Sequence, residues 1–163
     1  MKKIFFYILS TGIIFFNIPS YLNAQLECEC PPNSDTYVID GSMPGGVNIS
    51  TILPTIDWEA NCIILSGQLN IDVTADILNA EFLCEPGASI KILSDNKLVI
   101  KNSYFHGCTK MWKGIEVHDA TKLKIIGSTI EDAEYAIRLY NECTLNCENN
   151  DFLNDYIGIY AKK

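Results

Sequence analysis

The amino-acid sequence predicts an all-β protein, a right-handed parallel β-helix of about four coils behind an N-terminal cap. Three observations lead to this prediction: a repeat slightly longer than twenty residues, apolar residues that alternate with polar ones, and a bend at one fixed place in each repeat. An α-helical solenoid would need apolar residues at a 3.6-residue period over ten or more residues. The repeats lack that period.

The repeat is clearest in rows that begin at Ser66, Ser89, Gly114 and Ala136, with a further row starting at Gly158. Three apolar columns then share one set of spacings from row to row. The columns are Leu69/Ile92/Val117/Leu139, Ile77/Ile100/Ile125/Cys147 and Phe82/Phe105/Ile130/Phe152. Since equivalent positions of a solenoid stack on one another, these columns are predicted to form the core.

A fourth column holds residues that tolerate a left-handed backbone. Its members are Asn79, Asn102, Gly127 and Asn149. Asn and Gly adopt positive φ more readily than other residues. The column therefore predicts a sharp bend between two short strands of each coil. The right hand of the coil follows from the strong preference for right-handed crossovers between parallel strands.

Residues 1–24 are predicted to be a signal peptide. Lys2 and Lys3 precede the largely apolar run Ile4–Ile18, and the small residue Ala24 marks a cleavage site. The apolar run is short for a membrane helix, which needs about 20 residues. The alternatives are an uncleaved N-terminal anchor and a lipoprotein acylated at Cys28.

Cleavage at Ala24 would leave residues 25–163, the length of one domain, and would move the net charge from −8 to −10 because only Lys2 and Lys3 are lost. This acidity argues against nucleic acid and, after cleavage, against membranes as partners. Residues 25–61 interrupt the repeat and are predicted to form the cap, with short strands at Thr36–Asp40 and Val47–Ile52 and with Trp58 as a hydrophobic lid. Residues 62–163 form the repeats, with an incomplete last coil.

All seven cysteines lie in the exported part, where an oxidising compartment favours disulfides. Two pairings are predicted: Cys84 with Cys108, because they lie in adjacent coils, and Cys28 or Cys30 with Cys62 as a staple of the cap. A zinc site is the alternative use, but no Cys-x-x-Cys pair exists, so no metal site is predicted.

The odd number of cysteines leaves at least one of them unpaired. Cys147 stands in an apolar column and is therefore predicted to be a buried free thiol.

The insertion at residues 106–113 is the first candidate binding feature. It lengthens one row by three residues and contains a tryptophan, a histidine and two lysines. Trp112 is a candidate for stacking on a sugar ring, with His106 and Lys110 beside it. The alternative is that Met111 and Trp112 fold back over the flank of the coil.

Outward-facing columns supply the second candidate. One column reads Lys91, Glu116, Arg138, Tyr160, and the next reads Leu93, His118, Tyr140, Lys162. The first is predicted to be a ladder of surface ion pairs, worth roughly 0–1 kcal/mol each. In the second, His118 beside Tyr140 is a candidate sugar contact, with an ordinary surface as the alternative.

The acidic residues show no recognisable catalytic pattern. Glu131-Asp132, Asp151 and Asp155 fall on turns of neighbouring rows, where they are either weak calcium ligands or solvated turn residues. No pair of carboxylates that would flank a glycosidic bond is recognisable. No catalytic residue and no cofactor is therefore predicted. Calcium bound weakly by these turn acids is the alternative.

Two stretches resemble a known group. Residues 108–117 read CTKMWKGIEV and residues 130–137 read IEDAEYAI. These stretches resemble secreted right-handed β-helix proteins of Bacteroidetes, and the similarity covers about residues 62–161. The resemblance implies a pectate-lyase-like scaffold in a large surface or released protein that often ends in a type IX sorting domain, and it carries over no catalytic residues.

The chain shows no such domain, so it is expected to be an N-terminal portion whose open last coil pairs with missing sequence or with another chain. The predicted function is a secreted or cell-surface, non-enzymatic scaffold that contacts polysaccharide or a cell-surface glycan. The alternative is a polysaccharide lyase or glycoside hydrolase of the same fold.

Overall fold

The structure, a computed structural model, describes residues 30–31, 34–53, 58, 62–93 and 95–162. The predicted signal peptide and Cys28 lie outside these residues. The strands are β1 (Thr36–Gly41), β2 (Val47–Asn48), β3 (Cys62–Ile71), β4 (Ala75–Leu78), β5 (Glu81–Cys84), β6 (Ser89–Ile92), β7 (Lys97–Lys101), β8 (Tyr104–Gly107), β9 (Gly114–Val117), β10 (Lys122–Ile126), β11 (Thr129–Glu131), β12 (Tyr135–Tyr140), β13 (Thr144–Glu148), β14 (Asp151–Leu153) and β15 (Ile157–Lys162). One short helix, α1 (Ile49–Ile52), follows β2.

The strands stack into a parallel coil, as predicted, and this coil has three faces. Face A consists of the first half of β3, then β5, β8, β11 and β14. Face B consists of the second half of β3, then β6, β9, β12 and β15. Face C consists of β4, β7, β10 and β13. Every one of these pairings is parallel, so each strand pairs with its equivalents in the adjacent coils.

The register confirms two of the three predicted core columns. The column from Ile77 to Cys147 and the column from Phe82 to Phe152 pair as the spacings require. The first column is wrong at its first row, because Leu69 pairs with Ile90 and Ile71 pairs with Ile92. The cause is the continuous strand β3, which passes from face A to face B without the longer turn that separates β5 from β6.

The predicted bend is present at all four positions of its column. The backbone φ angles are 52° at Asn79, 49° at Asn102, 57° at Gly127 and 53° at Asn149. These values lie in the left-handed region, which Asn and Gly tolerate best. The bend turns the chain from face C to face A.

A buried ladder of polar side chains lies directly after these bends. The Ser103 hydroxyl accepts a hydrogen bond from the Ala80 N–H (3.2 Å), and the Ser128 hydroxyl accepts one from the Ser103 N–H (3.1 Å). The Asn150 side chain accepts one from the Ser128 N–H (2.9 Å). Each coil thus supplies the acceptor for a corner amide of the preceding coil, which would otherwise be buried without a partner.

The N-terminal end of the core is closed by a tryptophan, as predicted. Trp58 is buried and stacks on Phe82 with ring centroids 5.9 Å apart, and Phe82 stacks on Phe105 at 4.7 Å. Trp58 therefore extends the aromatic column by one position beyond the first predicted row.

The region before the first predicted row is more regular than expected. The predicted strand at Thr36–Asp40 is confirmed and extends to Gly41, and it pairs with β3 along its whole length. The second predicted strand shrinks to Val47–Asn48, because Ile49–Ile52 forms a helical turn. Since both strands pair with β3, they build one coil more than the sequence predicted, about five in all.

The disulfide pattern confirms one pairing and refutes another. Cys30 is bonded to Cys62, which is one of the two pairings predicted for Cys62. The Cys84–Cys108 pairing is wrong: Cys84 is a free, fully buried thiol, whereas Cys108 is disulfide-bonded. The register explains the error, because Cys84 lies opposite Gly107 and its side chain points into the core.

Cys147 is a free thiol as predicted, but it is exposed rather than buried. It lies on β13, the outermost strand of face C, and no described residue stacks on its outer side.

Two glycines with positive φ provide a test of coil stacking. Gly114 (φ 94°) lies so close to the next coil that a Cβ would overlap the Tyr135 carbonyl oxygen, whereas a Cβ on Gly87 (φ 83°) would meet nothing within 4 Å. We expect Gly87→Ala to cost about 1–2 kcal/mol of unfolding free energy, from backbone strain alone. Gly114→Ala should cost at least about 3 kcal/mol, since the strands must also move apart. Urea unfolding measures both, and equal losses would contradict the stacking.

Candidate functional site

The insertion at residues 106–113 does not present its tryptophan to solvent. Trp112 is fully buried, stacks on Phe105 at 6.3 Å and donates its indole N–H to the Glu131 carbonyl oxygen (3.0 Å). Its backbone bridges to Ala133 of the next coil. The predicted sugar contact of Trp112 is therefore wrong, and its fold-back onto the coil is correct. Met111, by contrast, remains partly exposed.

The other two candidates of the insertion are separated from each other. His106 is buried on face A, 3.2 Å from a Glu81 carboxylate oxygen and stacked on the ring of Tyr104 at 4.4 Å. Lys110 is exposed and lines a 250 Å³ cavity together with Asp132. The insertion thus does not bring its tryptophan, histidine and lysine together in one site.

The acidic turn residues form a cluster beside face A. Burial raises the pKa of Asp155 to about 6, with a further contribution from repulsion by Asp132 and Glu131. Burial also raises the pKa of Asp132. One Asp155 oxygen accepts a hydrogen bond from the Ala133 N–H (2.7 Å), and the other is buried without a partner among the described residues. The ionised forms of Asp132 and Asp155 are therefore destabilised in this cluster relative to water.

The structure does not assemble a metal site from these acids. Within the described part of the chain, no group of three or more His, Cys, Asp or Glu side chains is arranged to hold a metal ion. The predicted calcium contact of the turn acids has no geometric support there.

Face B carries a continuous set of aromatic and charged side chains. We call the set the tyrosine face, and its members are Glu116, His118, Tyr135, Arg138, Tyr140 and Tyr160. All of them lie on β9, β12 and β15 or directly follow β9. Their placement follows from the parallel register, which sets Glu116 opposite Arg138 and Arg138 opposite Tyr160.

The predicted pair of His118 and Tyr140 is present in the tyrosine face. Their rings stack at 4.6 Å with an interplanar angle of 9°, and both side chains are half-buried. The His118 Nε2 atom lies 3.3 Å from a Glu116 carboxylate oxygen. The imidazole of His118 is therefore held by Glu116 at its Nε2 atom and by the Tyr140 ring on one face.

Arg138 links the rest of the tyrosine face. Its guanidinium lies 3.8 Å from a Glu116 oxygen, donates a hydrogen bond to the Tyr140 hydroxyl (3.1 Å) and packs over the Tyr135 ring at 3.7 Å. The ring of Tyr135 in turn meets the ring of Tyr160 edge to face at 5.6 Å. The predicted Glu116–Arg138 step of the charge ladder is confirmed.

A cavity adjoins one end of the tyrosine face. We call it the turn cavity; its volume is about 620 Å³ and it is lined by Asp119, Ala120, Asn141 and Glu142. These residues follow His118 and Tyr140 directly in the chain. The Asn141 amide donates a hydrogen bond to the Asp119 carboxylate, which ties the two turns together. Ala120 and Asn141 both have positive φ, so the turns are tight.

The tyrosine face and the turn cavity together suit a ligand with both apolar and hydroxyl-bearing surfaces. Tyrosine rings offer rigid apolar area with a polar tip, and carboxylate, amide and guanidinium groups offer hydrogen bonds in several directions. Sequence reasoning found His118 and Tyr140 but missed Tyr135 and the cavity. The signal for the cavity was the separation of Asp119 and Asn141 by one full repeat, which places them in adjacent coils.

Comparisons with known proteins address the fold and leave the site open. Residues 46–163 match the family model described as the right-handed beta helix region, which is well over half of the chain. No curated protein and no solved structure matches the chain. Among the described residues, no helix has the length and apolar character that crossing a membrane requires.

The acidic cluster generates a prediction about stability and pH. Since the pKa of Asp155 is raised from 3.8 to about 6 on folding, the folded protein binds more protons than the unfolded chain in that range, and stability falls as pH rises through it. Asp155→Asn keeps an oxygen for the Ala133 N–H and removes the charge. We expect a gain on the order of 1 kcal/mol at pH 8 and none at pH 3, since the half-exposed carboxylate is partly screened.

Urea unfolding at the two pH values measures this difference. Asp151→Asn, which neutralises an exposed acid of the same coil, is the control and should change stability little at either pH. A gain for Asp155→Asn that is equal at pH 3 and pH 8 would contradict the assignment.

Proposed function

We propose that this chain, which belongs to the right-handed β-helix family, is an exported, non-enzymatic scaffold that binds a polysaccharide or cell-surface glycan through the tyrosine face and the turn cavity. The observation that carries the proposal is the stacked pair of His118 and Tyr140 at the edge of a cavity lined by hydrogen-bonding groups. Sugar rings combine apolar C–H faces with hydroxyl groups, and this site offers partners for both.

The size and rigidity of the site support a glycan as ligand. The turn cavity has a volume of about 620 Å³, which is room for a few sugar rings, and it is lined by exposed residues that a polymeric ligand can reach from solvent. The side chains are held in place before any ligand arrives, because Arg138 and Glu116 each make contacts with two or more neighbours. Little conformational entropy is therefore lost when a ligand binds.

Export is supported by two features of the chain. Residues 1–24 have the pattern of a signal peptide, and the protein carries a Cys30–Cys62 disulfide. Disulfides persist outside the cytosol. These features support a location in the medium or at the cell surface, in line with the resemblance to secreted proteins of Bacteroidetes, and the stacked coil is suited to display one binding face.

An enzymatic role is the alternative, and one observation bears on it. The raised pKa of Asp155, near 6, is typical of a general acid. However, the Asp155 oxygen that is not bonded to Ala133 is buried, so a substrate would not reach it without rearrangement. The geometry thus favours a structural role for this acid and binding for the protein.

The two histidines provide a matched test of the proposed function. His118 and His106 each lie beside a glutamate and stack on a tyrosine, but on different faces. We expect Tyr140→Ala and His118→Ala to weaken glycan binding by about tenfold or more, since each removes packing around a fixed ring. His106→Ala on face A should leave binding within about twofold.

Affinity electrophoresis against galactan, xylan, mannan and β-glucan measures these effects, with circular dichroism as the check on folding. If His106→Ala weakens glycan binding as much as His118→Ala does, the assignment of the binding site to face B is wrong. The appearance of unsaturated, ultraviolet-absorbing products would instead establish a lyase.

A further inference from the structure

The turn cavity has an uncompensated negative charge. Asp119 and Glu142 both line it, and the only side-chain partner of Asp119 among the described residues is the uncharged amide of Asn141. Within the same part of the chain, no Lys, Arg or His side chain lies within ion-pair distance of Asp119 or Glu142. Any ligand in the cavity therefore meets two carboxylates.

The nearest cation of the tyrosine face is already engaged. Arg138 pairs with Glu116, donates to the Tyr140 hydroxyl and has one side covered by the Tyr135 ring. A guanidinium binds a ligand carboxylate best through two parallel hydrogen bonds, and these contacts compete for its donors.

Lys162, which lies opposite Tyr140 in the next coil, is the one other cation of this column. It is exposed, and neither it nor Lys91, which lies opposite Glu116 in the preceding coil, forms an ion pair with Asp119 or Glu142. The two carboxylates of the turn cavity therefore have no cationic partner in contact with them among the described residues.

We propose that Asp119 and Glu142 make the turn cavity select uncharged sugars and reject anionic ones such as uronic acids; this rests on the proposed glycan binding. Hydroxyl groups of an uncharged hexose donate hydrogen bonds to the two carboxylates. A uronate places a third carboxylate beside these two exposed ones, and like charges a few ångströms apart repel each other even through water. Rejection of the wrong ligand by like charge is a common basis of specificity.

The test compares each glycan with its own oxidised form. Soluble galactan, mannan and β-glucan are used as such and after selective oxidation of their primary hydroxyls to carboxylates, so that the backbone is unchanged. Binding of the full chain is measured by isothermal titration calorimetry in a buffer that contains a chelator. We expect the oxidised form to bind about tenfold or more weakly than its parent, and added salt to narrow this ratio.

The Asp119→Asn/Glu142→Gln double variant tests whether these two carboxylates cause the discrimination. Its readout is the ratio of the two affinities, which should fall to about threefold or less whatever happens to the absolute affinity. The control is Asp76→Asn/Glu85→Gln, which changes the net charge equally at exposed positions on other parts of the coil. The control should keep the full ratio.

The outcomes separate this inference from the function on which it rests. Equal or tighter binding of the oxidised glycans overturns the inference and leaves glycan binding in place. Binding of oxidised glycans that appears only when calcium is added also overturns it, because the acids would then bridge a cation to the ligand. No binding of either form at the tyrosine face defeats the proposed function itself.

Discussion

The coil depends on a left-handed bend that recurs at one place in four successive turns of the chain. Asn79, Asn102, Gly127 and Asn149 adopt this bend, and the buried serine–asparagine ladder beside it provides acceptors for the corner amides. Without the ladder, each corner would bury an unpaired N–H, at a cost of about 1–3 kcal/mol. Because the bend and the ladder repeat together, each coil fixes the register of the next.

That fixed register also determines the surface. Parallel strands at equal register place equivalent side chains directly over one another, so an outward residue of one coil meets its counterpart in the next. His118 stacks on Tyr140, and Glu116 pairs with Arg138, for this reason. The turns that follow these strands stack as well, which places the turn cavity at one end of the tyrosine face. The candidate site is therefore a consequence of the coil rather than an addition to it.

The coil and two core columns could be predicted from the sequence. The constant spacing of apolar residues predicts the columns, and the column of Asn and Gly residues predicts the bend. The column error lies where the continuous strand β3 shifts the register, and the Trp112 error lies in an insertion whose course no spacing reveals. Cys84 faces inward because it lies two residues after the core residue Phe82 on the same strand, and its partner on β8 is Gly107 rather than Cys108. A one-residue offset reverses the side of a strand. His118 and Tyr140 lie in uninterrupted coils, and their contact was predictable.

The central claim, that the tyrosine face and the turn cavity bind a glycan, is tested most directly by amide chemical shifts during titration of the full chain with soluble glycan fragments. Binding at the proposed site should shift the amides of β9, β12 and residues 119–120 and 141–142 and should leave those of β5 and β8 in place. Shifts confined to face A or to the insertion at residues 106–113, or none with any fragment, would contradict the account.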